Sequence, residues 1–548
     1  MSAERYDYVI VGGGSAGCIA AAELSSDPGV RVLLLEAGDT AEANPETLRA
    51  DGYKDAFIND AVIWERFSVK QPECGGQRLF MGTGTGLGGS GSVNGMVYLR
   101  GAREDYDEWP HGWQWSDVAL DFEAIEKVLR PQKRPPTEFT KACTSAAEEA
   151  GFRASSDMND GNLSGVLGYE WMNYEGSDRR SSYVAFLREV RTRSNLTVRT
   201  RALGRRILFD EGRVARSIEF EHEGKIVVAD VEREVILSLG ALETPKLLML
   251  SGVGPRAELE RHGIDVVHDL PGVGENLHDH PNVTLFFLGH RDVDCFYPQL
   301  YGFDRVNDAL PLPPGQSDTC YVFYPARSSL REAAMRILPT RLPAFLYRVR
   351  LLRWLVRIVL YVVLGLPPMQ SFIRRIWGVV VILGKPLSRG RLRLRSTDPR
   401  DQAELDPAYF RDPADMETMM AGVERARELA AAPSLHRWGS RELIPGRRKA
   451  SRADVRRWIE DNAMTTYHFA GTCRMGDDND AVVTPDLRVR GVTGVRIADA
   501  SVVPVTPVSA MNGPSMLVGY RVAKAIRQEL ADGAKERGVT RLAASGSI

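Results

Sequence analysis

Apolar residues along the chain follow two periods, and the N-terminal ones alternate between them quickly. Tyr6 to Val11 is a short apolar run ending in Gly12-Gly13-Gly14. Ser15 to Leu24 is an Ala-rich helical stretch, and Val30 to Leu35 is a second buried run closed by Glu36. Strand, glycine turn, helix and strand within about thirty residues is the order of a dinucleotide-binding unit. A second glycine cluster lies between Gly82 and Gly95, and residues 115–235 mix helical stretches with short strands. Val235 to Leu239 predicts another buried strand, followed by Gly240 and a helical run from Thr244 to Ser251. Pro271 to Pro281 is turn-rich, and Pro-Leu-Pro-Pro-Gly at 311–315 predicts a loop. Strand character returns between Val379 and Leu394, residues 415–460 are mostly amphipathic helix, and 531–548 reads as a frayed tail.

One segment breaks this pattern. Ala333 to Thr397 holds thirteen Lys and Arg and no Asp or Glu, set among long apolar runs. The 23 residues between Pro343 and Pro367 are nominally long enough to span a bilayer, but they include Arg348, Arg350, Arg353 and Arg357. Each of these costs about 2.5–3.5 kcal/mol near a helix centre. On a helix, Arg350, Arg353 and Arg357 form one basic stripe on an apolar rod, which predicts a helix lying in a membrane interface and drawn to anionic lipid. The competing expectation is a lid or subunit contact.

Composition narrows the class. The 548 residues are 43% hydrophobic, enough for a large core, and 70 basic against 72 acidic residues give a balance of −2. A nucleic-acid partner is not expected without a basic excess. Cys18, Cys74, Cys143, Cys295, Cys320 and Cys473 are widely spaced, without a CxxC pair, which fits a reducing compartment and no metal site. The chain enters a strand within six residues, so no signal peptide is expected. A cytoplasmic, membrane-associated enzyme is the expected setting.

The chemistry starts at Gly12-x-Gly14-x-x-Gly17. Gly12 suits a tight turn, Gly14 lets backbone approach a pyrophosphate, and Gly17 allows close helix–strand packing. Glu36, nineteen residues on, suits a ribose hydroxyl and disfavours a 2′-phosphate, leaving FAD and NAD. Neither Ser15 nor Ser90 has a G-x-S-x-G setting, so hydrolase chemistry is not supported. His111 and His262 carry no motif.

Further stretches resemble the glucose–methanol–choline (GMC) oxidoreductases. Gly84 to Gly101 is similar to their first signature, and Gly240 to Gly254 to their second. Pro271-Gly-Val-Gly-Glu-Asn276-Leu-His-Asp-His280-Pro281, His468-Phe-Ala-Gly-Thr-Cys-Arg-Met475-Gly and Asp499-Ala-Ser-Val-Val-Pro504 complete the likeness, which runs in order from residue 6 to about 530. The resemblance implies an α/β fold with an FAD-binding Rossmann-like domain and an antiparallel-sheet substrate domain. It implies FAD and an alcohol substrate, with electrons passing to O₂ or to a quinone or other carrier. The FAD domain is expected at 1–45, 80–110, 200–290 and 465–530, and the substrate cap at 46–79, 111–199 and 291–464. Cofactor contacts are expected at Gly12, Gly14, Ser15, Gly17, Glu36, Gly88, Asn94, Gly95, Met96, Val97, Asp499, Ala500 and Asn512. His468 falls where the family places its catalytic base, a role suited to an imidazole titrating near neutrality. His278 and His280 read as structural hydrogen-bonders.

The chain departs from the family pattern at two places. Thr85 stands after the opening glycine of the first signature, where a basic residue is usual, and Thr83 is also uncharged, which predicts less positive surroundings for the flavin. Six residues after Pro504, where relatives carry a His or Asn partner of the base, stands Ala510. Asn512, two residues later, is then the expected helper of His468. Val93 occupies the position of a flavin-linking histidine, so the FAD is expected to be non-covalent. The leading function is alcohol oxidation to aldehyde or ketone. The alternatives are a redox-neutral lyase or decarboxylase on the same scaffold, and a polyol or aminoglycoside oxidase.

Overall fold

The computed structural model describes residues 4–446 and 451–545. Its first sheet forms around strand Glu4–Val11, whose last four residues are buried on both faces. Such a strand needs a partner on each edge. Val32–Leu35 pairs with it in parallel on one side and Lys225–Leu237 on the other. Leu196–Arg199 extends the sheet beyond Val32–Leu35, Val495–Ile497 pairs in parallel with Val235–Leu237, and Ala202–Phe209 and Ala215–His222 complete seven strands.

The second sheet has eight strands, nearly all antiparallel. At its centre Pro281–Leu288, Ile376–Leu383 and Thr319–Pro325 run side by side. Met464–Thr465 pairs with the start of Pro281–Leu288, so the approach to His468 is fixed on this sheet. Two expected boundaries move. Leu196–Arg199, placed in the cap, completes the first sheet, because Val32–Leu35 exposes a second edge that only another strand satisfies. Pro281–Leu288, placed in the cofactor domain, belongs to the second sheet, where its alternating burial packs one face on the core.

Helix Trp115–Leu129, also expected in the cap, buries Val118, Phe122 and Ile125 in the first core, and Lys524 reaches its Asp121 at 2.6 Å. The tail expected to fray from 531 is helical through Ser545, as its run of Ala, Lys, Glu and Arg favours. This last helix, Asn512–Ser545, crosses Ser15–Leu24 at Gly519. A Cβ there would lie 2.4 Å from the Ala16 carbonyl oxygen, so only glycine permits the approach.

The basic apolar segment forms helices Leu330–Ile337, Arg350–Gly365 and Pro367–Ile373. Among the described residues no single helix is long and apolar enough to cross a membrane, and the last two are bent by 77°. Two of the three stripe arginines do not face outward as expected, while Arg350 stays exposed. Arg353 pairs with Glu65 at 2.9 Å and Arg357 with Asp60 at 3.0 Å. Asp60 and Glu65, outside the acid-free segment, supply its counter-charge and turn the basic face inward. Leu351, Trp354, Ile358, Val359 and Val362 are left on the outer face.

Candidate active site

A cavity of about 520 Å³ runs from the first glycine turn to the end of the second sheet. At the glycine end, Gly12 has a φ of +105° and Gly17 packs so that a Cβ would lie 1.9 Å from the Gly12 oxygen. By contrast, a Cβ on Gly14 would meet no atom nearer than 3.9 Å, so the turn presents open backbone to the cavity at the position expected to meet a pyrophosphate. Glu36 is buried, and its carboxylate accepts from the backbone N–H of Gly13, Gly38 and Gly86 at 2.8–2.9 Å. Burial pushes its pKa up, and those N–H donors pull it back. This carboxylate ties the two glycine loops together.

The second loop has its own clamp, which the sequence reading missed. Arg179 is fully buried and donates to the Asn94 side chain at 2.8 Å, the Asn94 carbonyl at 2.7 Å and the Gly91 carbonyl at 3.1 Å. Burial pushes its pKa down to about 9. Asn94 in turn accepts from Met96 N–H at 2.9 Å, holding Met96 at a φ of +67°. Gly95 has open space at its Cβ position, whereas Gly88 packs against Ser92. Val93 and Val97 line the cavity. Asp499 accepts from Gly240 N–H at 3.0 Å and the Thr244 hydroxyl at 2.5 Å, which sets Ala500 against the cavity.

Basic groups reach the second loop from elsewhere in the chain. The Arg66 guanidinium donates to the Thr83 hydroxyl and pairs with Glu243 at 2.8 Å. Lys246 reaches the same carboxylate at 2.5 Å. Four carboxylates and three cations line the cavity in all.

Asn512 is not placed as helper of the base. Its Oδ1 accepts from the Ser15 hydroxyl at 3.0 Å, at the head of the first helix. Its Nδ2 is buried with no partner, a donor left for a group in the cavity. Together with open Gly14, Gly95 and the Glu36 carboxylate, this orphaned donor fits a dinucleotide such as FAD.

The partner of His468 is His280. The two Nδ1 atoms are 2.9 Å apart, with ring planes nearly perpendicular at 89°. His280 Nε2 lies 2.9 Å from the Thr506 hydroxyl. His468 lines the cavity, and its Nε2 has no protein hydrogen bond among the described residues. Burial pushes the His468 imidazole down to about 4, and His280 well below its ordinary value, with the adjacent His468 adding to the effect. His468 is carried on a turn in which Tyr467 has a φ of +64°. Asp279 staples that turn, accepting from His468 N–H at 2.7 Å and from the Thr465 and Tyr409 hydroxyls. Burial raises the Asp279 pKa to about 6 against these donors. His278 is structural, bonded to the Asn276 carbonyl at 2.7 Å and packed against Gly471. Ala510 lines the cavity without a polar group. Around His468 the wall is aromatic: Tyr467 lies 6.1 Å from Phe57, 6.4 Å from Phe80 and 6.4 Å from Phe469.

Comparison with known proteins agrees with this layout. Residues 6–282 and 386–519 match the N- and C-terminal models of the GMC oxidoreductases. The chain is 34% identical to an alcohol dehydrogenase [acceptor] of Pseudomonas putida, over 95% of each chain. It is 32% identical to a choline oxidase of Arthrobacter globiformis, covering 96% of this chain and 95% of that one. Among solved structures, pyridoxine 4-oxidase from Mesorbium loti superposes with a TM-score of 0.82 at 25% identity, over 95% of this chain and 99% of the other. A formate oxidase superposes at 0.83 and 24% identity, over 97% and 100%.

Proposed function

The chain belongs to the GMC oxidoreductase family, and from that premise we propose that it oxidises an apolar alcohol to the aldehyde or ketone, with His468 as base. The enzyme is FAD-dependent; when bound, FAD supplies the hydride acceptor. The substrate hydroxyl proton passes to a neutral imidazole at the aromatic end of the cavity.

The observation that carries this reading is the division of labour on His468. Its Nδ1 is taken by His280, and its Nε2 is free of protein partners. Base action by Nε2 requires the proton of the neutral ring to sit on Nδ1. The pair provides this if His468 Nδ1–H donates to His280 Nδ1 and His280 Nε2–H donates to Thr506. This is the tautomer that base action needs and the network accommodates, with His280 a positioning residue in the role that Ala510 cannot fill.

The apolar substrate class rests on the cavity's carboxylates. Four line it, and each is already engaged: Glu36 by backbone N–H groups, Glu243 by Arg66 and Lys246, Glu332 by Arg331 at 2.8 Å, and Asp499 by Gly240 and Thr244. Those commitments disfavour a polyol or an aminoglycoside, and the rings about Tyr467 suit an apolar group. The test is anaerobic bleaching of the bound flavin by aliphatic, aromatic, steroid and sugar alcohols. Bleaching by apolar alcohols is expected. Bleaching by sugars alone overturns the substrate class, and bleaching by no alcohol returns the redox-neutral alternative.

A further inference from the structure

Helix Arg350–Gly365 presents the reverse of an ordinary surface helix. Two of its three arginines, Arg353 and Arg357, are turned in to Glu65 and Asp60, while a face of apolar residues is turned out. Trp354 is 56% exposed, Val359 58% and Val362 54%, and no residue of the helix is buried. Burying the charged face and leaving aromatic and aliphatic groups in water costs free energy unless something covers them.

Charge indicates what covers them. Arg348, just before this helix, and Arg350, its first residue, are exposed and have no ion pair among the described residues, and neither do Arg78 and Arg395. Arg348 and Arg395 lie close enough to Arg78 to help hold its pKa below the usual guanidinium value, behind burial as the main cause. Cations left uncompensated beside an apolar face match an anionic, apolar surface. At sixteen residues the helix alone is too short to cross a bilayer, and a 77° bend follows it, which favours lying in such a surface.

We propose that the outer face of Arg350–Gly365 docks on an anionic lipid bilayer, with Trp354, Val359 and Val362 in the acyl boundary and Arg348 and Arg395 at the headgroups. The docked helix rests on Leu330–Ile337, where Arg331 lies over the Tyr361 ring at 4.8 Å. Glu332 and Ala333 of that short helix line the active-site cavity, so bilayer and cavity are one helix apart. This inference concerns location and holds or fails independently of the alcohol oxidised.

The test uses FAD-loaded enzyme in flotation with phosphatidylcholine vesicles, with and without phosphatidylglycerol. Binding to the anionic vesicles is expected, weakened by salt. Arg348→Gln with Arg395→Gln should weaken it about 30-fold. Trp354→Glu with Val359→Glu should abolish it at unchanged FAD content, since both side chains are outside the fold. Arg353→Gln with Arg357→Gln should loosen the helix from Asp60 and Glu65 without removing its lipid-facing groups. Absent binding, or binding indifferent to salt and lipid charge, overturns the proposal. A dimer by light scattering that the glutamate pair dissociates also overturns it, in favour of a second copy of the chain on this face.

Discussion

Replacing His280 by leucine tests the arrangement of the base directly. Leucine approximates the volume of imidazole in a site where His280 is fully buried, but it offers no acceptor to His468 Nδ1. A buried N–H left without a partner costs about 1–3 kcal/mol. The ring avoids that cost by turning, or by moving its proton to Nε2, and either change removes the free lone pair. Transferred to the proton-abstraction step, 1–3 kcal/mol is a loss of about 5- to 150-fold in the rate of flavin reduction. The assay is anaerobic stopped-flow bleaching with the best alcohol from the screen, normalised to FAD released from the same preparation. His280→Asn should recover most of the rate, because its Oδ1 sits near the position of Nδ1 and accepts the same proton. General damage to packing would not be repaired by so small a side chain. Full FAD content and an unchanged reduction rate in His280→Leu would refute the reasoning.

The acid limb of kcat/KM should fall near pH 4 and not near 6.5, because burial lowers His468 to about 4 and the base is neutral above that value; a limb at 6.5 in the pH–rate profile contradicts it. The same shift predicts a falling Tm on acidification. The unfolded ring takes up a proton from about pH 6.5, so the contribution of His468 is complete above that value and is lost as pH falls through about 4. Asp279, raised to about 6, acts oppositely, its contribution complete below the ordinary carboxylate pKa and lost as pH rises through about 6. His468→Ala should keep its FAD and lose about 10²–10⁴-fold in flavin reduction; parent-rate bleaching dismisses His468 as base. Hot acid should release free FAD, since Val93 offers no nitrogen for a linkage, and flavin remaining on the precipitated chain counts against this.

The glycine motifs were legible because they act locally: turn, helix and Glu36 meet within one short unit whose periodicity changes from strand to helix. What escaped depends on long-range pairing. His280 and His468 are 188 residues apart, and nothing in Asn276-Leu-His-Asp-His280 says which of its two histidines turns toward His468. Arg66 and Arg179 carry no motif, yet each completes a glycine loop from another part of the chain. Asn512 was identified as a site residue, but spacing from Pro504 could not show that its Oδ1 is committed to Ser15. The basic stripe of the 350–365 helix was read correctly as a stripe and oriented wrongly, because its acidic partners lie nearly three hundred residues earlier.

The Ser15–Asn512 hydrogen bond joins residues 497 positions apart, so the cradle is closed by segments remote in the chain. Strand Glu4–Val11 becomes an interior strand only when Lys225–Leu237 pairs with it, and the sheet waits again for Val495–Ile497. Contacts of such separation form late and slowly. Until they do, a nascent chain exposes the apolar edge of its first sheet and cannot retain a dinucleotide. A dinucleotide cradle of this kind exists only once residues 4–15 and 495–512 have met.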